Sequence, residues 1–402
     1  MLIDNLRKQT IRYIFLVSGI LLAFSAATFA GDREQAKRIH DRIAGVPPSA
    51  AVLDQMAAQV ASDPITAAYT AMENSSFYTV TLKNFAAPWT NRDQSVFVPL
   101  NDYTATVIGM VRDGETTDFR QLLYGNIIYV GDSSLGLPTY SNTNNAHYEA
   151  LEESGADLKT ALVASAQSSV TGLTADATAG IMTTRAAARA FFIDGTNRAM
   201  FRFTLLNHLC VDLEQIKDIT RAPDRIRQDV SRSPGGDSRI FLNNCVGCHS
   251  GMDPMAQAFA YYNFQYDVDN DPDGEVGQLV YNAVGGGVQE KYFINGNNFK
   301  YGYVTPDDGW DNYWRQGQNS ALGWDNSLAG SGNGAKSMGQ EMAHSDAFAE
   351  CQVKKVFRTI CLREPLNGSD QAKMAEITQS FRGSNYNMKQ VFAETAVWCM
   401  GD

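Results

Sequence analysis

The pentapeptide Cys245-Val246-Gly247-Cys248-His249, inside NNCVGCHSGMDPM, restricts what this chain can be more than any other stretch. Two cysteines three apart, with a histidine directly after the second, match what a c-type haem requires. Two thioether bonds hold the porphyrin, the imidazole ligates the iron, and the spacing puts all three groups under one edge of the ring. The chain has six cysteines and five histidines in 402 residues, so coincidence is a poor account of the cluster. A zinc clip would need two more ligands, and no second CxxC or HxxxH exists. A redox dithiol would open a helix after a strand in a βαβ unit, whereas the polar SRSPGGDS and a short RIFLNN precede this motif. The motif therefore predicts heme c, attached through Cys245 and Cys248, with His249 as the proximal iron ligand.

A haem of this type is attached after export, and the N-terminus fits that route. Arg7, Lys8 and Arg12 precede the apolar run YIFLVSGILLAF, and SAATFA supplies small residues for cleavage. Residues 1–30 read as a signal peptide; cuts after Ala27 or Ala30 both fit, and Ala30 is preferred. An uncleaved anchor is the competing reading, but the uncharged stretch from Tyr13 to Ala30 is marginal for a span. No later segment approaches a transmembrane length. The expected location is periplasmic, where disulfides persist. Net charge is −11, and the leader carries more cations than anions, so the remainder is more acidic still. That balance argues against nucleic acid and anionic membranes as partners, and permits steering toward a positively charged redox partner protein.

Along the chain, helical signals begin at Asp32 and continue in AVLDQMAAQVAS after the breaker GVPPS. Residues 74 to 146 are mixed, with short runs such as SFYTVTL and NIIYVG among loops. DLKTALVASAQ from Asp157 is amphipathic, and RAAARAFF and GTNRAMFRFTLLNHLC predict two helices. Residues 267 to 335 are dominated by Asp, Gly and Asn, and predict a loop-rich insertion with short strands. Three helices close the chain, the first between a Ser345 cap and a Pro365 stop, the second between a Ser369 cap and Gly383. Their short connections predict an antiparallel bundle. The expected organisation is a leader, an α-rich N-terminal scaffold over 31–165, and a haem-binding domain over 166–402.

Several segments together resemble the planctomycete-type cytochrome-c domains, a family of exported proteins with one CxxCH. The resemblance is carried by GIMTTRAAARAFFIDGTNRAMFRFTLLNHLC, by CVGCHSGMDPMAQAFAYYNF, and by SMGQEMAHSDAFAECQVKKVFRTICLREP. It covers about Ala179 to Trp398. It implies a mainly α, cytochrome-c-like haem domain, with Cys245, Cys248, His249, Met252, Asp253 and Pro254 as the matched residues. It implies no activity.

The distal side of the iron is open to several readings. Met252 and Met255 follow His249 too closely and belong to the proximal side. Met338, Met342 and His344 have the sequence distance; Met338 and Met342 are also spaced for core packing on one helix. His40 and His208 read as ordinary helix residues. In an up-down-up bundle Cys361 and Cys399 end at the same level, which leaves Cys210 for Cys351; the last two also match family positions. Asp269, Asp271 and Asp273 open a calcium-loop pattern, but Val280 stands where its last ligand belongs. GSGNGAKS is one residue short of a P-loop and reads as a loop before a helix. Trp310, Trp314 and Trp324 either pack or grip a ligand. The expected function is single-electron transfer by a monohaem c-type cytochrome. The alternatives are a haem-dependent oxidoreductase with an open iron site, and a binding protein with structural haem.

Overall fold

The computed structural model describes residues 30–193, 195–282 and 285–401, so the expected leader lies outside the described residues apart from Ala30. Three helices come first: α1 (Asp32–Ala44), α2 (Ala50–Val60) and α3 (Pro64–Met72). Their ends follow local chemistry. Gly45 closes α1 at φ +72°, a conformation that costs glycine little. The Ser49 hydroxyl accepts from the Val52 N–H to start α2, and the Asp63 carboxylate accepts from Ile65 N–H to start α3, with Pro64 in its first position.

The helix α4 (Asp102–Arg112) is buried from Asp102 to Val111. It packs against β1 (Ile128–Gly131), which pairs antiparallel with β2 (Leu162–Ser165), Tyr129 opposite Ala164. Two expectations change in this region. The run SFYTVTL is a wide helical turn, Phe77–Leu82, because Phe77, Tyr78, Thr81 and Leu82 recur at helical spacing and all are buried. DLKTALVASAQ is not one helix: Leu158–Ala161 is helical, β2 follows, and Gln167–Thr171 turns again. Pairing with β1 satisfies the 162–165 backbone and overrides the amphipathic pattern.

The two helices expected next are present as α5 (Arg185–Phe191) and α6 (Arg198–His208), followed by α7 (Val246–Ala256), which carries the motif. Beyond it, β3 (Tyr262–Gln265) pairs with β4 (Gln278–Tyr281), and β5 (Gly309–Asp311) with β6 (Ser331–Asn333), both antiparallel. The 267–335 excursion is loops, tight turns and these short strands, as its composition predicts. GSGNGAKS is more ordered than a loop: it holds β6 and the start of α8 (Gly334–Ala343), where Gly334 takes φ +71°.

The last three helices, α9 (Asp346–Cys361), α10 (Gly368–Gly383) and α11 (Met388–Trp398), pack on one another. Ser345 caps α9, as expected, accepting from Phe348 N–H at 3.2 Å. The cap of α10 is Asn367 rather than Ser369, because Asn367 Oδ1 reaches Asp370 N–H at 2.9 Å while Arg363 clamps the Asp370 carboxylate. Cys210 lies at disulfide distance from Cys351, and Cys361 from Cys399, with Cα separations of 5.2 and 5.5 Å. The chain is mainly helical with small antiparallel sheets. One hydrophobic cluster runs from Ala36 to Ala396, and α11 packs on α1 and α3, so residues 31–165 and 166–402 share a core.

Candidate functional site

Helix α7 begins where a wide turn, Phe241–Cys245, passes into regular α geometry. Residues 245, 248 and 249 stand at i, i+3 and i+4, so both thiols and the imidazole lie on one face. Cys245 packs at the edge of a small cluster of Ile226, Phe241 and Val246. Cys248 is buried against the Leu213 carbonyl, with Sγ 3.5 Å from that oxygen. Neither thiol is bonded to another cysteine, although the other four are paired.

The two glycines of this helix have packing causes. The Gly247 carbonyl accepts from Asp218 N–H at 2.9 Å, and a Cβ at 247 would press on Lys217 at 3.2 Å and Ile219 at 3.3 Å. A Cβ at Gly251 would overlap the indole of Trp314, which is fully buried. Trp310 and Trp324 are buried as well. The Trp310 indole N–H donates to Ser337 Oγ at 2.8 Å and the Trp324 N–H to the Trp314 carbonyl at 3.0 Å. The three tryptophans pack the core and present no stacking surface for a sugar or peptide.

His249 is the polar centre of the site. Its side chain is 19 % exposed, and Nδ1 lies 3.1 Å from both carboxylate oxygens of Asp253, one turn along α7. An ionised carboxylate only accepts, so Nδ1 donates, and Nε2 is the nitrogen left to bind a ligand. Among the described residues nothing hydrogen-bonds to Nε2. Asp253 is itself locked from behind. Arg198 of α6 donates Nε–H at 2.7 Å and Nη2–H at 3.0 Å to its two oxygens, a paired fork. The Arg227 N–H approaches at 3.4 Å, and Arg198 reaches on to Asp229 at 3.0 Å. Burial opposes the charge on Asp253. Arg198, His249 and Arg227 outweigh it and hold the carboxyl well below the usual carboxylate range.

The same geometry weighs on the competing chemistries. Burial, with Glu214 adding to it, pushes the Cys248 thiol up. The motif follows a helical turn and not a strand, and the described sheets are all antiparallel, so no βαβ unit surrounds it among the described residues. Among the described residues no three His, Cys, Asp or Glu converge to hold a metal ion, and zinc would need four donors. Asp269, Asp271 and Asp273, the residues of the calcium-like stretch, likewise form no converging group of three such side chains. Asp271 spends its carboxylate on the N–H groups of Glu275 and Val276, closing its own turn, and Asp267 caps Asp269.

The distal candidates each have surroundings of their own. Met338 and Met342 are fully buried in the main core, on a helix packed against the turns at 119–123 and 257–259. His344 bonds the Gln340 carbonyl through Nδ1 at 2.8 Å. Met252 and Met255 are buried on α7 itself. His40 bonds the Val46 carbonyl, and His208 bonds Tyr103 Oη at 2.8 Å inside the core. Sequence reasoning named Asp253 only through a family likeness, though helical spacing from His249 would have found it. It missed Arg198, Arg227 and Asp229, for which no local signal exists.

Comparison with protein-family models, with curated proteins and with solved structures finds no match to this chain.

Proposed function

We propose that the chain is an exported monohaem cytochrome of c type, passing single electrons to a redox partner protein. One observation carries the reading: the only two described cysteines left unpaired share a helix face with a histidine whose Nε2 is free and whose Nδ1 is tied down. A haem held there supplies a one-electron iron couple. Cys245 and Cys248 would hold the ring and His249 Nε2 would ligate the iron. Apolar side chains are exposed beside the motif, Leu242 at 56 % and Ile219 at 69 %. The family proposed is the planctomycete-type cytochrome-c domains, on the residues quoted above. Export into an oxidising compartment is supported by the two cysteine pairs at disulfide distance, and no described helix is long and apolar enough to cross a membrane. The acidic balance suits a basic partner.

The burial of Met338 and Met342 in the core favours a second reading, in which the iron keeps an open position and serves an oxidoreductase site. Carbon monoxide binding to the ferrous protein separates the two.

The deciding experiment expresses the whole chain in cells competent for haem attachment and extracts it with acid-acetone. Haem that stays with the chain, with a sharp c-type α-band, supports the reading. A colourless chain from competent cells sinks it.

A further inference from the structure

A histidine ligand is tuned by what its second nitrogen donates to. A backbone carbonyl is a weak acceptor; a carboxylate fixes the ring, draws on the Nδ1 proton and makes Nε2 a stronger donor to iron. The acceptor here is a carboxylate, and an arginine is paired with it from behind. Asp253 is completely enclosed, both its oxygens face His249 Nδ1 at 3.1 Å, and both take an N–H from Arg198. Arg198 is in turn braced by Asp229. The carboxylate is therefore held between Arg198 and the Nδ1 edge of the ring.

We propose that Asp253 is the positioning residue for His249: it keeps the proton on Nδ1, presents Nε2, and lowers the reduction potential by strengthening the imidazole as a donor. The inference rests on the haem reading and adds to it a role for the network behind the ligand. Electron density pushed to the iron stabilises the oxidised state, so the couple sits lower than a carbonyl-backed histidine would set it. Arg198 moderates the effect by neutralising part of the carboxylate charge. The network is thus graded, with Asp253 in contact with the ligand and Asp229 one step removed.

The gradation supplies the test. The whole chain is loaded with haem in competent cells, and potentials are measured by spectroelectrochemistry for the wild type and for Asp253→Asn, Asp229→Asn and Arg198→Gln. Asp253→Asn should shift the reduction equilibrium at least tenfold toward the reduced form, about 59 mV for one electron. Asp229→Asn removes the same charge without touching His249, and should move the equilibrium by less than a third of that in mV. Arg198→Gln should lower the potential. Equal shifts in the two aspartate variants would mean through-space charge alone and would overturn the proposal, as would an unchanged potential in Asp253→Asn. Should Asp253→Asn fail to accumulate, Arg198→Gln and Asp229→Asn decide together: a fall in the first at least three times the rise in the second supports the proposal, and equal and opposite shifts, or no fall in the first, overturn it. A wild type without haem defeats the haem reading itself, a result separable from all of these.

Discussion

The indole of Trp314 occupies the space that a side chain at position 251 would fill. Gly251 lies two residues after His249, and Trp314 comes from the loop-rich excursion, so the contact seats that excursion on the helix carrying the motif.

Gly251→Ala is therefore expected to destabilise the protein. Alanine gains about 1 kcal/mol of helix propensity over glycine. The overlap with a fully buried ring costs about 1–3 kcal/mol or more, because neither the ring nor the helix can step aside freely. The loss should win, with a net decrease of about 1–2 kcal/mol in urea unfolding. A variant as stable as the wild type would mean that Trp314 repacks easily.

The link between Cys210 and Cys351 closes a sequence separation of 141 residues and ties the end of α6 to α9. Replacing both by serine should lower stability by roughly 2–4 kcal/mol, mainly by releasing the unfolded chain. Alkylation of the haem-loaded protein should add no label before reduction and label the four paired cysteines after it. Labelling before reduction would break the assignment.

His208 makes stability depend on pH. Burial, with Lys355 adding to it, holds its pKa well below the ordinary value. Tyr103 Oη occupies Nε2 at 2.8 Å, and Nδ1 has no partner. The imidazole is neutral when folded and takes up a proton on unfolding once the pH falls below about 6.5. The unfolded state then binds more protons, so stability falls with pH, by up to about 1.4 kcal/mol per unit for one group. His208→Gln should show a shallower loss between pH 7 and 5 in chemical denaturation. Identical slopes would remove the assignment. Asp253 has the depressed-carboxylate sign: its contribution is present above about pH 4 and is lost in stronger acid.

Met342→Leu tests the distal side. As a core residue it should tolerate this near-isosteric change at under about 1.5 kcal/mol, with the haem spectrum unchanged. A shifted spectrum with a raised affinity for carbon monoxide would make Met342 a ligand.

Much of the architecture was legible because it is local. Helix ends at Ser49, Asp63 and Ser345 follow from side chains that reach N–H groups two or three residues on. Gly45 and the Pro-Pro breaker separate α1 from α2 for equally local reasons. Where neighbours in space competed, local pattern lost. DLKTALVASAQ gives up its helix to pair with β1, and α10 is capped from Asn367 because Arg363 fixes Asp370. Of the carboxylates at 269–273, which match a calcium pattern in order, Asp271 is claimed by hydrogen bonds from the turn backbone.

The sequence by itself determined the chemistry that a single helix can hold. With 3.6 residues per turn, Cys245, Cys248, His249 and Asp253 must share a face once that stretch is helical. It determined nothing about what stands behind that face. Arg198 is 55 positions from Asp253 and 31 from Asp229, and Trp314 is far from Gly251 along the chain. Only packing α6, α7 and the long excursion around one core brings these groups together. The burial that results strips water from Asp253 and makes the arginine behind it necessary.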